Sequence, residues 1–559
     1  MKKHLQILVL LSFLISLVAV TTEISAQHIG SWGDQGNGRY KNPVLEGNFP
    51  DNDVIRMGNT FYMMTSTNHF APGMMIMKSK DLVNWEYSNN IMPAPIKFDT
   101  VFDIGIAPQL VSRGTWAGSF GYNGEFYFAY WCFNRFCPPN NTYKVVFSKA
   151  KSMEGPWSEP EELKWPNSSS IKTTDPGVFW DIEKHKAWIC LTIKNAVKLY
   201  SISWDGKTML DNPEGGIVVT TKLEGESNKI YKFGDNYYVM NSHVGDNHGL
   251  PVRMEAFSRA KSMEGAWESR LVLENGNGTD RHPSQGTFIQ LDDGSWWYIH
   301  QLARGNPQER YMGRPQFLEP VEWKDGWPLI GTDTDGDGIG EVIWEHKKPI
   351  DGFPVNAPAT DDDFNTPALG LQWNWRFNPK MDRWSLTEHP GFLRLRSCAS
   401  SSARNDERLE GMPNLIAQRL LGRYKNSMTT KFDISGMVSG QEVGFHVSAG
   451  ENNVIGVKRD AKGILNLFFK RETNKGVTVQ KGIQIEQKVI WFQSKIENGL
   501  GTFFYSLDGK HFNQFGDEVR LLFAGFTPNM VGFYSMNSEE KGYLDVDWFT
   551  YDYDGPKRK

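Results

Sequence analysis

Cysteine is scarce in this chain, with four (Cys132, Cys137, Cys190 and Cys398) in 559 residues. So few, so scattered, exclude a disulfide framework and a zinc site, and only Cys132 and Cys137 are close enough in sequence to pair. An excess of one charge is also lacking. The formal net charge is −5 and the pI is near 6.2, so there is no basic footprint for nucleic acid. Few segments have helical periodicity, which points away from an α-rich fold. Long apolar runs are confined to the N-terminus, so nothing later reads as a membrane span. There, Lys2 and Lys3 precede an apolar run from Leu5 to Val20, and Ile24-Ser25-Ala26 offers a small residue for cleavage. These are the parts of a secretory signal peptide over residues 1–26. No cysteine follows the cut, which argues against a lipid anchor. The expectation is an exported protein, periplasmic or extracellular.

What the chain has in abundance is aromatics, 13% of residues with 20 Trp. They recur in order. A strand-like segment after Gly58, Phe61-Tyr62-Met63-Met64, returns as NGEFYFAYW from Asn123, GDNYYVMNS from Gly234 and GSWWYIHQ from Gly294, with a degraded copy, HKAWICLT, from His185. A second motif, FSKAKSMEGPW from Phe147 and FSRAKSMEGAW from Phe257, falls between copies. Repeats of about 50–65 residues, one aromatic strand each, are the signature of a propeller. Five copies predict five blades over residues 30–347. After a proline-bearing connector the pattern becomes short alternating strands, with Asp508-Gly509 a hairpin signal. This predicts a β-sandwich of jelly-roll or concanavalin-like type over 361–556. The fold class is all-β.

A propeller gathers one loop from each blade around a central funnel, so chemistry is expected where strands of different blades begin. Three carboxylates stand at such points. Asp51 is wedged between Pro50 and Asn52, Asp175 lies in TTDPGVFW, and Glu226 lies in LEGESNKIYKFGDNYYV. Proline stiffens the turn holding Asp51, and a carboxylate so held can act as a general base.

The segments NPVLEGNFPD, TDPGVFW, EG…KIYK…YYV and GRPQFLEPVEWKDGWPLIG resemble glycoside hydrolase family 43, a five-bladed propeller family that cleaves β-xylosides and α-L-arabinofuranosides with inversion. DDDFNTPALGLQWNWRFNPKMDRWSLTEHPGFLRLRS resembles the concanavalin-like sandwich appended to its β-xylosidase-type members. The resemblance implies Asp51 as the base that activates water and Glu226 as the acid that protonates the leaving oxygen. It implies Asp175 as the third carboxylate, which orients the acid and raises its pKa. Arg314, in Gly313-Arg314, would bind substrate hydroxyls. Two alternatives stay open. Asp53 rivals Asp51, though the register from Pro50 favours Asp51; Glu224 rivals Glu226, though counting back from Tyr231-Lys232 favours Glu226. The chain departs from the family where Trp-Ala-Pro becomes Ile106-Ala107-Pro108. It departs again where a histidine before Gln-Gly becomes Ser284, with His282 two residues earlier. His282 is retained as a substrate-binding candidate, and the departure puts a channel metal in doubt.

No cofactor is implied for the chemistry. The appended domain of related enzymes often carries a calcium ion, and Asp362 and Asp547 are its nearest matches here. Asp333, Asp335, Asp337 and Gly338 begin a calcium-loop spacing, but Trp344 stands where the twelfth-position glutamate belongs, so a glycine-rich turn is the expectation. The partner implied is an oligosaccharide or polysaccharide. The leading reading is a hydrolase releasing xylose or L-arabinofuranose from hemicellulose fragments. The others are a non-catalytic carbohydrate-binding protein and a galactan-directed member of the family.

Overall fold

The computed structural model describes residues 30–105, 113–135, 142–247, 250–274, 282–303, 311–401, 408–524 and 526–557. The N-terminal apolar segment, Ile106-Ala107-Pro108 and Cys137 lie outside the described residues. Cys132 is a buried free thiol, donating to Thr173 O at 3.4 Å.

Four four-stranded sheets and one of five follow each other along the chain. Their first strands are Asp53–Met57, Gly114–Tyr122, Gly177–Asp181, Gly225–Phe233 and His282–Gln290. Each first strand touches the next, and the fifth touches the first, so the ring closes around an axis. This is a β-propeller. The fourth sheet gains Gly340–Glu341 as a parallel fifth strand.

The aromatic motif forms the second strand of each sheet, one position out from the axis. On Thr60–Thr65 all six side chains are buried, because both faces of a blade are covered by neighbours. Alternation splits them. Tyr62 and Met64 pack with Ala129, Trp131 and Phe133 of the second sheet, whereas Phe61 and Met63 pack with Ile289, Trp297 and Ile299 of the fifth. A motif that must fill two interfaces at once cannot be half polar, which explains its unbroken apolar run.

Beyond the propeller the chain builds a seven-stranded and an eight-stranded sheet. Strand Lys425–Asp433 alternates buried and less buried side chains along its length, as expected where one sheet face is covered. Phe432, Phe445, Phe492, Phe533 and Phe549 meet between the sheets. That core is continuous with the interface between the fifth and first blades. The two domains also share backbone: Ala71 and Trp375 exchange bonds of 2.9 and 2.7 Å. The Asn378 side chain accepts from Ile96 N at 2.6 Å and donates to Ile96 O at 2.8 Å. In the tryptophan-rich run from Leu371 to Trp384, Trp373, Trp375 and Phe377 are buried, while Leu371 and Met381 stay exposed.

Candidate active site

The first strands begin irregularly, and that irregularity builds the site. Register shifts interrupt pairing between Thr115 and Gly118, Glu226 and Lys229, and Ser284 and Thr287. Asp51, Asp175, Ser227 and Gln285 all have positive φ, between 53° and 64°. Bulges and left-handed residues turn side chains off the pleat, here toward the axis.

Asp51, Asp175, Glu226, His282 and Arg314 line one cavity of about 320 Å³. With Trp116 and Ala117 of the second sheet on the same cavity, all five blades contribute to one site, Arg314 arriving just before the third strand of the fifth sheet. Asp51 is buried and held on three sides. Its Oδ1 accepts from Arg314 Nη1 at 2.9 Å, its Oδ2 accepts from Ser66 Oγ, and its amide donates to Gln301 Oε1 at 2.9 Å. Among the described residues, Nε and Nη2 of Arg314 are buried with no hydrogen-bond partner, so two nitrogens of the planar fork remain for hydroxyls. Asp53, the alternative base, faces elsewhere: it accepts from Phe120 N at 2.6 Å and Thr287 Oγ1 at 2.8 Å. It lines a second cavity further along the same strands.

Asp175 Oδ2 accepts from Ser227 N at 2.9 Å and Gln285 Nε2 at 2.8 Å. Burial, reinforced by the charges of Glu226 and Asp51, pushes its carboxyl up to about 7. Glu226 pairs with Arg253 Nη1 and is about one-third exposed. Glu224, its rival, does not line the cavity; its carbonyl faces His243 Nδ1 at 2.7 Å. Below the acids, Lys229 crosses the ring to donate to Gly118 O at 2.6 Å. Its charge bears on Asp53, Asp175 and Glu255, so the chain itself supplies a cation in the channel.

Several site residues escaped the sequence reading. Ser66, Gln301 and Gln285 orient the acids, and Arg253 meets Glu226. Gln301 lies on the second strand of the last blade, Trp296–Ala303, and also donates to Ser284 Oγ at 3.0 Å. Its position after the aromatic motif was a usable signal. Phe523 and Phe526 line the cavity from the sandwich domain, and Phe526 lies against Trp116 with ring centroids 5.5 Å apart. Nothing local in the sequence marks them.

The expected calcium ligands do not form a common set. Asp362 accepts from Phe364 N at 2.9 Å and Trp373 Nε1 at 2.8 Å, and Asp547 pairs with Lys431 at 2.6 Å. Among the described residues, close acidic groups occur instead as Asp333–Asp335–Asp337 and Glu274–Asp335–Glu341. Amides of Gly336 and Gly338 bond Asp333, the glycine-rich turn expected there.

Comparison with known proteins agrees with this architecture. Residues 40–328 match the model of glycosyl hydrolases family 43, and residues 361–552 match the beta xylosidase C-terminal concanavalin A-like domain. A beta-xylosidase of Formosa agariphila is 37% identical over 96% of this chain and 94% of its own length. A non-reducing end alpha-L-arabinofuranosidase of Bacteroides ovatus is 27% identical over 92% of this chain and 94% of its own. The solved xylan beta-1,4-xylosidase of Bacillus halodurans superposes with a TM-score of 0.77 at 21% identity, over 92% of this chain and 99% of that one, a likeness of fold. Two family matches in the expected order, around three carboxylates that share one cavity, assign the chain: it belongs to glycosyl hydrolase family 43 and is a glycoside hydrolase with a concanavalin-like C-terminal domain.

Proposed function

We propose that the protein releases terminal xylose or L-arabinofuranose from hemicellulose fragments by a single displacement with inversion. The observation that carries this reading is the convergence of Asp51, Asp175 and Glu226 on one cavity closed by Phe523 and Phe526. A cavity of about 320 Å³ is at the small end for ligand pockets. Walled by a second domain, it takes a chain end rather than the middle of a polymer.

In this mechanism Asp51, ionised and held by Arg314 and Ser66, removes a proton from water as that water attacks the anomeric carbon. Glu226 donates its proton to the departing oxygen from the other side. Asp175 stands beside the acid on the adjoining blade. Arg314 binds sugar hydroxyls with its two unused nitrogens, and Trp116 and Phe526 offer apolar faces to the ring. No metal is required for these steps. Export follows from the charge and apolar run of residues 1–26.

Proton NMR of the first-formed sugar tests the mechanism. A β-xyloside gives α-xylose before mutarotation in the proposed reaction, whereas β-xylose appearing first means a covalent intermediate and a different role for Asp51. A panel of chromogenic xylosides, arabinofuranosides and galactosides tests the substrate class; turnover of galactosides alone overturns it.

A further inference from the structure

The acid of the proposed mechanism is not free. Arg253, on strand Leu250–Ala260, lines the same cavity and holds Glu226 through Nη1. Both side chains are about one-third exposed, so the pair sits at the cavity wall, where an entering sugar reaches it. A carboxylate in an ion pair is ionised, and an ionised Glu226 has no proton to give. The neighbouring acid is in the opposite situation. Asp175 is buried, its Oδ2 takes two donors, and no protein donor is on Oδ1 among the described residues. The bond from Ser227 N to Asp175 places the two acids side by side.

We propose that Arg253 is a substrate-displaced gate on the general acid: in the free enzyme it keeps Glu226 ionised while Asp175 holds the pair's one proton, and the leaving-group sugar lifts it away so that the proton passes to Glu226. The inference rests on the acid role given to Glu226 above. The transfer balances. The O–H bond at Asp175 Oδ1 breaks, one forms at the Glu226 carboxylate, and the net charge of the site is unchanged. Asp175, now ionised, keeps its bonds from Ser227 N–H and Gln285 Nε2 and the field of Lys229. The elevated proton affinity of Asp175 in the free structure, caused first by burial, agrees with this starting state. The charged and titratable groups facing the pair are Asp51, Arg314, Lys229, Glu255 and the buried Cys132 thiol, whose proton is held by burial and by the charges of Asp175 and Glu226, with the His282 ring, whose Nδ1 accepts from Arg253 N at 3.0 Å. His243 faces the same strand from its pairing with Gly225. None of these contacts Glu226 as Arg253 does.

The test is the pH dependence of two constants, since kcat/KM reports the free enzyme and kcat the bound complex. With xylobiose, whose departing sugar both reaches Arg253 and needs the proton, the wild-type alkaline limb of kcat/KM falls at lower pH than that of kcat. In Arg253→Met the kcat/KM limb rises by about one pH unit, the effect of removing an opposite charge at contact, and the gap closes. Arg253→Lys restores the gap. Limbs that do not move, or that move together, overturn the gate.

A second measurement covers the case in which Arg253→Met fails to fold. Infrared difference spectra of Asp51→Asn with xylobiose should show one protonated carboxyl band lost and another gained. The absence of that pair of bands overturns the proposal. Glu226→Gln separates the two levels. If its loss does not depend on the leaving group, the acid assignment itself is wrong; if it does while the limbs stay fixed, only the gate is wrong.

Discussion

In the proposed mechanism Asp51 and Glu226 do different work, and substitution separates them. Asp51→Asn should abolish turnover on every substrate, because water must be activated whatever departs. Glu226→Gln should lose most activity on natural xylosides yet retain far more on aryl xylosides, whose leaving groups need little protonation; rates on the two classes, measured side by side, check this. Asp175 makes a prediction about stability. Its proton affinity is higher in the folded protein than in the unfolded chain. It therefore contributes stability below about pH 4, and this is lost as pH rises through about 7. Glu255, buried and raised to about 7 by desolvation, acts in the same window. Asp175→Asn removes one of these two contributions, so its Tm should gain on the wild type between about pH 4 and pH 8, read by calorimetry across that range. A gap that stays constant with pH would sink the assignment of a buried, raised carboxyl.

At the scale of elements, the site depends on how closely the first strands approach. Gly177 shows it: a Cβ there would lie 2.2 Å from Asn228 O and 2.9 Å from Lys229 N, in the backbone that carries Glu226. Gly177→Ala should therefore force the third and fourth blades apart, costing about 1–3 kcal/mol as overpacking does. Denaturant melts should show the loss, and kcat should fall with it because Asp175 and Glu226 move apart. The aromatic motif was legible in the sequence because each copy fills two interfaces and must be apolar throughout. The bulges were not. Ser227 and Gln285 take positive φ without glycine or asparagine to announce it, and the donors Ser227 N and Gln285 Nε2 find their acceptor, Asp175, on another blade.

At the scale of the whole molecule, the sandwich is part of the active site. Phe526 meets Trp116 and lies under the Arg314 guanidinium at 5.5 Å, and the sandwich core runs into the seam between the fifth and first blades. A chain ending near Asn356 should thus lose the pocket wall and expose that seam, giving a protein prone to aggregate and without activity. Light scattering and assay of the truncated protein check this. The milder Phe526→Ala should leave the melting temperature nearly unchanged and raise KM for xylosides several-fold, because apolar ring contact is lost while the acids stay in place.

The sequence by itself determined the all-β class, the repeat, the change to alternating strands after the connector, and the positions of the acids at strand entries. These are local or periodic properties: burial on both faces forces an unbroken apolar strand, and turn chemistry marks where it starts. Tertiary structure alone decided that Asp51 rather than Asp53 faces the cavity and that Glu226 rather than Glu224 does so. It also decided that Arg253 rests on the acid and that Phe523 and Phe526 come from the other domain. Each of these is a contact between segments far apart in the chain, set by how five sheets close into a ring and where the sandwich docks on their last seam. No residue's own neighbours in sequence carry that information.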